Sequence, residues 1–301
     1  MLVWTMRLAC WPFEVEGRET PISPVTSDVP GLTPGTAPPI PAGPLVAVPP
    51  PVPVRPPVAV EAPLPATLPL RQEARYDIRY GLLGSVGALT FSAGSIGPAA
   101  DGTRVIKVQG SGRGAVLGLG GIQRKVEAEF DPVTLESRRW SILRARDGQP
   151  DTVGTLDTAL RGAGGTLVLD RTITGQPPSR QTVKFAVPTS DPIGLLWRLR
   201  TNPPGPGQTE TAQLLDGLAL WRVRITGAMT REILPDRGQT AIRLEGELSP
   251  ILYDGQPDTE RPTRRFTLWL SDATDHLPLR LEVPVGIADV VMTLVESHTL
   301  S

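Results

Sequence analysis

The alternation across residues 265–296, RFTLWLSDATDHLPLRLEVPVGIADVVMTLVE, limits the fold more than any other stretch of the chain. Phe266, Leu268 and Leu270 alternate with Thr267, Trp269 and Ser271. After a polar turn, Leu277, Leu279, Leu281 and Val283 alternate with Pro278, Arg280, Glu282 and Pro284. A period of two sends successive side chains to opposite faces of a strand, so the pattern predicts an antiparallel hairpin. A third strand over 290–295 follows the turn at 286–289. Three strands cannot bury their own apolar face, and the rest of the chain has to supply more sheet.

Proline divides the chain. Residues 18–70 hold 17 of the 34 prolines, only five charged residues and no aromatic. Such a stretch buries too little apolar surface to offset the entropy of ordering it, and PPPVPVRPP at 49–57 favours extended polyproline backbone. The expected organisation is a remnant of a signal or membrane anchor over 1–17, a disordered proline-rich linker over 18–70, and one β-meander domain over 71–301. The opening MLVWTMRLACWPF is apolar but too short to span a bilayer, and Arg7 interrupts it. Cys10, preceded by Arg-Leu-Ala, matches a lipoprotein box only loosely. An apolar start ahead of a long proline spacer resembles envelope proteins tethered to the inner membrane. The expectation is a membrane tether whose anchor lies upstream of Met1.

The net charge of −1, with only three lysines, argues against nucleic acid as a partner, because phosphate binding needs a concentrated positive face. Cys10 is the one cysteine, so no intramolecular disulfide and no cysteine cluster for zinc or iron–sulfur can form. No cofactor is expected.

After the linker, RYDIRYGLLGSVGALTFSAG reads as strand, glycine turn and strand, and 103–108 as another strand. GSGRGAVLGLGG at 110–121 lacks the spacing and the lysine of a phosphate loop, and its glycines predict bulges or close backbone approach. Val126, Ala128 and Phe130 alternate with charged neighbours, Asp131-Pro132 begins a turn, and strands are expected over 135–143, 166–174 and 181–187. In TSDPIGLLWRLRTNPP, Asp191 is an N-cap, Pro192 suits the first helical position, and Arg198 and Arg200 suit a helix C-terminus. One short helix is therefore predicted over 192–200, with Ile193, Leu196 and Trp197 against the sheet. Strands resume at 218–226 and 239–248, where Arg222, Arg224, Arg243, Glu245 and Glu247 are placed to pair across strands. Short strands with frequent turns point to an all-β, large antiparallel meander, a barrel or half-barrel.

Chemistry-bearing groupings are sparse. AGSIG at 93–97 has the outline of a nucleophile elbow around Ser95, with His276 or His298 as base, but Pro98 stands where a helix should begin. Asp272, Asp275 and His276 gather in one turn and are able to hold a cation, although Asp in a turn more often bonds its own backbone. Glu127, Glu129, Glu245 and Glu247 read as solvated strand positions. Neither a catalytic residue nor a metal ligand is assigned. Trp197, Arg198 and Arg200 at the end of the helix are the candidate contacts to an anionic or sugar group, with capping and packing as the alternative.

Four segments in this order, YDIRYGLLGSVG, DPVTLESRRW, DPIGLLWRLR and WLSDATDHLPLRLEVPVGIADVVMTL, resemble the bacterial domain-of-unknown-function family 3108. The resemblance rests most on Asp191, Leu196, Leu199 and Arg200 in the helix and on Trp269, Asp272, Pro278, Arg280 and Gly286 in the closing hairpin. Gly194 departs from it where a small hydroxyl residue is usual, and Trp197 where a tyrosine is. The resemblance implies a large barrel-like meander, similar to that of a capsule-associated lipoprotein, in exported or envelope-anchored proteins. The closing hairpin is also similar, over about 30 residues, to the half-barrels that carry lipoproteins and lipids through the periplasm. The expected function is a non-enzymatic periplasmic or envelope module that binds a lipid, glycan or protein partner in a curved sheet. A structural scaffold and a hydrolase acting on envelope glycan are the alternatives.

Overall fold

Alternating burial along the chain builds one long sheet, seen in the computed structural model, which describes residues 72–99, 102–115, 121–146, 149–157, 166–171, 177–185, 189–216 and 219–299. The segments 1–17 and 18–70 lie outside these residues. The elements are β1 (Gln72–Tyr80), β2 (Ser85–Pro98), β3 (Arg104–Ala115), β4 (Gly121–Phe130), β5 (Ser137–Arg146), β6 (Gln149–Asp157), β7 (Thr166–Arg171), β8 (Ser179–Lys184), α1 (Pro192–Thr201), β9 (Thr209–Asp216), β10 (Ala219–Gly227), β11 (Glu232–Leu234), β12 (Gln239–Ile251), β13 (Arg264–Ser271), β14 (Pro278–Val285) and β15 (Ala288–Thr299).

The strands pair antiparallel in the order β8-β7-β6-β5-β4-β3-β2-β1-β15-β14-β13-β12-β10-β9, and the short β11 adds to β12. Among the described residues the structure is thus the all-β meander with one α-helix that the sequence pattern predicts. β1 joins its two halves, with β2 on one side and β15 on the other; Tyr76 faces Leu89 in β2 and Leu294 in β15. In β1, Ala74, Tyr76 and Ile78 are buried while Arg75 and Arg79 are exposed, the period of two of a strand with one covered face.

Helix α1 packs on the covered face. Its Trp197 ring lies 6.1 Å from that of Phe130 in β4. The expected stripe of Ile193, Leu196 and Trp197 is buried, and so are Leu195, Leu199 and Arg200, because sheet approaches the helix from more than one side.

Four local expectations are corrected. β6 and β9 form although QPDTVGTLD and TETAQLLD carry no sustained alternation, since each completes a neighbour's hydrogen-bond ladder. β5 begins at Ser137, because Leu135 still belongs to the turn with φ 56°. That turn is set by Asp131, whose Oδ1 accepts from the N–H groups of Val133 and Thr134 at 2.9 and 3.1 Å. Trp269, placed on the polar face by alternation, is buried; its indole N–H donates to Glu232 Oε2 at 2.5 Å and Arg280 lies over its ring at 5.8 Å. Pro278 is buried likewise, beside the bulge between Trp269 and Leu270.

Close backbone approach explains two glycines. A Cβ at Gly110 would sit 2.8 Å from Phe91 Cε1, so the gap lets the Phe91 ring lie across β3. Gly246 is opposite Phe266, and a Cβ there would meet Phe266 Cζ at 1.8 Å. Gly246→Ala is expected to cost about 1–3 kcal/mol through overpacking, read as a lower urea midpoint. Phe266→Leu in the same chain should recover part of that loss.

Candidate functional site

Polar side chains gather in two arrangements, one at the ends of α1 and one on the opposite face of the sheet. At the N-terminus of α1, Asp191 is fully buried and its Oδ1 accepts from the Ile193 and Gly194 N–H groups at 2.8 and 2.9 Å. Ser137 donates its hydroxyl to Asp191 Oδ2, and the Asp191 N–H donates to Ser137 Oγ at 3.1 Å. Gly194 makes room for this, because a Cβ there would lie 2.6 Å from Ser137 Oγ. The hydroxyl that meets this carboxyl group therefore reaches in from β5 through the space left at Gly194. Burial raises the Asp191 carboxyl above its usual range, against the pull of the Ser137, Gly194 and Ile193 hydrogen bonds.

At the other end, Arg200 is 3% exposed. Its Nη2 donates to Gln72 Oε1 at 2.8 Å, its Nε donates to the Asp275 carbonyl at 3.1 Å, and its guanidinium lies 4.7 Å from the centre of the Trp197 ring. Desolvation lowers its pKa, while Tyr76 and Asp275 act in the other direction. The buried Tyr76 hydroxyl is in turn pushed upward by desolvation. These contacts fit the capping-and-packing alternative for Trp197, Arg198 and Arg200. Trp197 and Arg200 are buried against protein, and Arg198 pairs with Glu210 at 2.5 Å. Beside them remains a cavity of about 20 Å³, the size of a single water.

The turn of Asp272, Asp275 and His276 is also bound up in structure. Arg231 pairs with Asp272 at 2.8 Å, Ser271 donates its hydroxyl to Asp275 Oδ1 at 3.0 Å, and His276 Nδ1–H donates to the Arg200 carbonyl at 2.7 Å, closing the helix C-terminus. Among the described residues no three His, Cys, Asp or Glu side chains converge for a metal. Ser95 belongs to β2, but its side chain lies outside those described. Of the remaining hairpin positions, Arg280 pairs with Glu282 and Gly286 turns the chain at φ 61°. Leu196 and Leu199 are core residues.

The second arrangement is a trough of about 610 Å³ on the face of β1–β5 opposite α1. Two cross-strand rows form it: Arg75–Thr90–Ser111–Lys125–Leu143 and Asp77–Ala88–Arg113–Gln123–Ala145. Four inter-strand spacings make it about 19 Å long. Ala88, Thr90, Ser111 and Ala145 are short and form the floor; Arg75, Arg113, Lys125 and Leu143 rise beside them. Arg75 pairs with Glu296 at 3.3 Å and Lys125 with Glu127 at 3.1 Å, both exposed contacts that contribute little and leave the cations available. Ser85 donates to Asp77 Oδ1 at 2.5 Å. Arg113 has no ion pair with a described residue. Sequence reading missed this site because its members are ordinary polar strand positions; only the register across five strands brings them together.

Over the described residues the fold is a large antiparallel meander packed on one capped helix. The family described as Protein of unknown function (DUF3108) matches residues 75–295, and the chain belongs to it. A search of the curated proteins finds no match. Among solved structures, the chain is similar to a β-barrel-like protein of domain of unknown function DUF1849 from Brucella abortus (11% identity, TM-score 0.49), covering 78% of this chain and 100% of that one. It is also similar to a protein from Bacteroides fragilis described as exported, with a YmcC-like fold (12%, TM-score 0.29, 77% and 99%). LprF from Mycobacterium bovis matches at 10% identity and a TM-score of 0.23, over 75% and 85%.

Replacing Asp191 by Ala should cost about 1–3 kcal/mol, since it strands two N–H groups and a hydroxyl in the core. Asp191→Asn keeps an acceptor without the buried charge and tests the raised pKa. A carboxyl that binds its proton more tightly when folded gains stability as pH falls. The native chain should therefore gain on Asp191→Asn as the pH drops from neutral through the raised value towards 3.8, measured by urea unfolding at a series of pH values.

Proposed function

We propose that this protein is a non-enzymatic module of the cell envelope that holds an acidic glycan along the trough of β1–β5. The observation that carries the reading is the trough itself: a slot about 19 Å long, several sugar units in extent, whose floor is small and whose walls are cationic. Thr90, Ser111 and Gln123 offer hydroxyl and amide groups to sugar hydroxyls, and Arg75, Arg113 and Lys125 offer charge to acid groups. The covered face of the sheet is occupied beside α1 by side chains of the helix itself. Envelope placement is supported by the apolar stretch of residues 1–13 and the proline-rich spacer that follows it.

A scaffold in envelope assembly is the second reading. It is favoured by β8, mostly exposed and ending the sheet with no strand beyond it among the described residues. Crosslinking from β8 to a stable partner would support it.

The glycan reading is tested by calorimetry with an oligogalacturonate and the neutral galactose oligomer of equal length. The expected result is salt-sensitive binding of the acidic oligomer alone, weakened about tenfold or more in Arg113→Glu, the loss of one charge-assisted contact. Equal affinity for both oligomers, or an unaffected Arg113→Glu, would overturn it. Native mass spectrometry of the protein from its own membranes adds a second check: a copurifying acidic glycan that is lost in Arg113→Glu is expected, and its absence counts against the reading.

A further inference from the structure

The turns at one end of the sheet carry apolar side chains that nothing in the fold covers. Leu82 and Ile287 are fully exposed, at 107% and 102%, and Leu83 is 52% exposed. They sit on neighbouring tips. The β1–β2 turn holds Leu82 and Leu83 between Gly81 (φ 44°) and Gly84 (φ 74°), and the β14–β15 turn holds Ile287 after Gly286 (φ 61°). Strands β1 and β15 are paired up to these turns, Tyr80 facing Val290. The tips touch at their bases, since a Cβ on Gly81 would lie 2.8 Å from Ala288 Cβ.

Turn tips normally carry polar residues, because their side chains have no neighbour to cover them. Two adjacent tips carrying Leu-Leu and Ile depart from that rule together. We infer that this end of the sheet docks on a lipid surface, with Leu82, Leu83 and Ile287 entering the interface and Arg79 and Arg113 meeting anionic headgroups. Both arginines are exposed near the same end of their strands, and neither has an ion pair with a described residue. The neighbouring acids are Asp77, which accepts from Ser85, and Asp289, which is exposed.

The shape selects the occupant. Protruding side chains on convex turns do not make the flat, matched surface of roughly 800 Å² per partner that a stable protein interface needs. A fluid interface needs no matching shape and takes apolar points flanked by cations. The strand start at Gln72 lies at the far end of β1, about 30 Å away, so docking leaves it clear of the lipid. This inference shares Arg113 with the glycan reading but rests on the turn tips, so its test changes Leu82 and Ile287 and leaves the trough residues intact.

The test uses the full chain with Cys10→Ser and one new cysteine, Leu82→Cys, Ile287→Cys or Val133→Cys, each carrying an environment-sensitive dye. Val133 lies in the exposed β4–β5 turn at the opposite end of the sheet. With equimolar phosphatidylethanolamine–phosphatidylglycerol vesicles, the dyes at 82 and 287 should shift to the blue and the dye at 133 should not. The dye position decides the matter even though residues 1–13 are themselves apolar. Leu82→Asp with Ile287→Asp should lower vesicle partition about tenfold or more, and unchanged circular dichroism will show that both tips tolerate the change. The inference is overturned by dyes at 82 and 287 that stay aqueous on vesicle-bound chain, by unchanged partition of the double variant, or by a blue shift that grows with protein concentration alone. That last result would assign the tips to a second copy of the chain.

Discussion

Asp191 carries a carboxylate into the covered side of the sheet, and much of the architecture answers the demand this makes. A helix whose N-terminus is shut away from water has orphan N–H groups that only protein can satisfy. Asp191 satisfies two of them, Ser137 satisfies the second carboxyl oxygen from β5, and the bare backbone of Gly194 lets that hydroxyl in. The C-terminus has the matching problem, met by His276 from the β13–β14 turn and, through the Arg200 side chain, by Gln72 of β1. One helix thus bonds to strands from both halves of the meander, and its two ends are fixed by groups far apart in sequence.

That solution moves the functional question outward. Each of the conspicuous polar residues around α1 spends its hydrogen-bonding capacity on the fold: Arg200 on Gln72 and Asp275, His276 on a helix carbonyl, Asp275 on its own turn. The remaining free space there holds no more than a water. Groups still open to solvent lie on the other face and at the turn tips, where Arg113 and Arg79 stand without an ion pair to a described residue. A membrane-facing end beside a cationic trough would bring both into reach of the same anionic surface.

Much of this was readable in advance, residue by residue. Asp191, Pro192 and the Asn202-Pro203 stop mark a helix by local chemistry alone, and its observed span of Pro192–Thr201 differs from the expected one by a single residue. β6 was not readable, because Pro150, Asp151 and Gly154 follow no alternation and its pairing is imposed by β5 and β7. Trp269 shows the limit of alternation in another way: the period of two assigns its face, but its burial there comes from Glu232 of β11 and Arg280 of β14, which strand pairing brings beside it.

The sequence by itself determined the strand-rich class, the helix and its cap, and the proline-rich segment, because each depends on spacing within a few residues. Only the tertiary structure decided that Arg200 is buried and that Thr90, Ser111 and Arg113 share one trough. It likewise decided that Leu82 and Ile287, more than 200 positions apart, stand on neighbouring tips. These facts depend on strand order and register, which are set by the summed burial of the whole sheet.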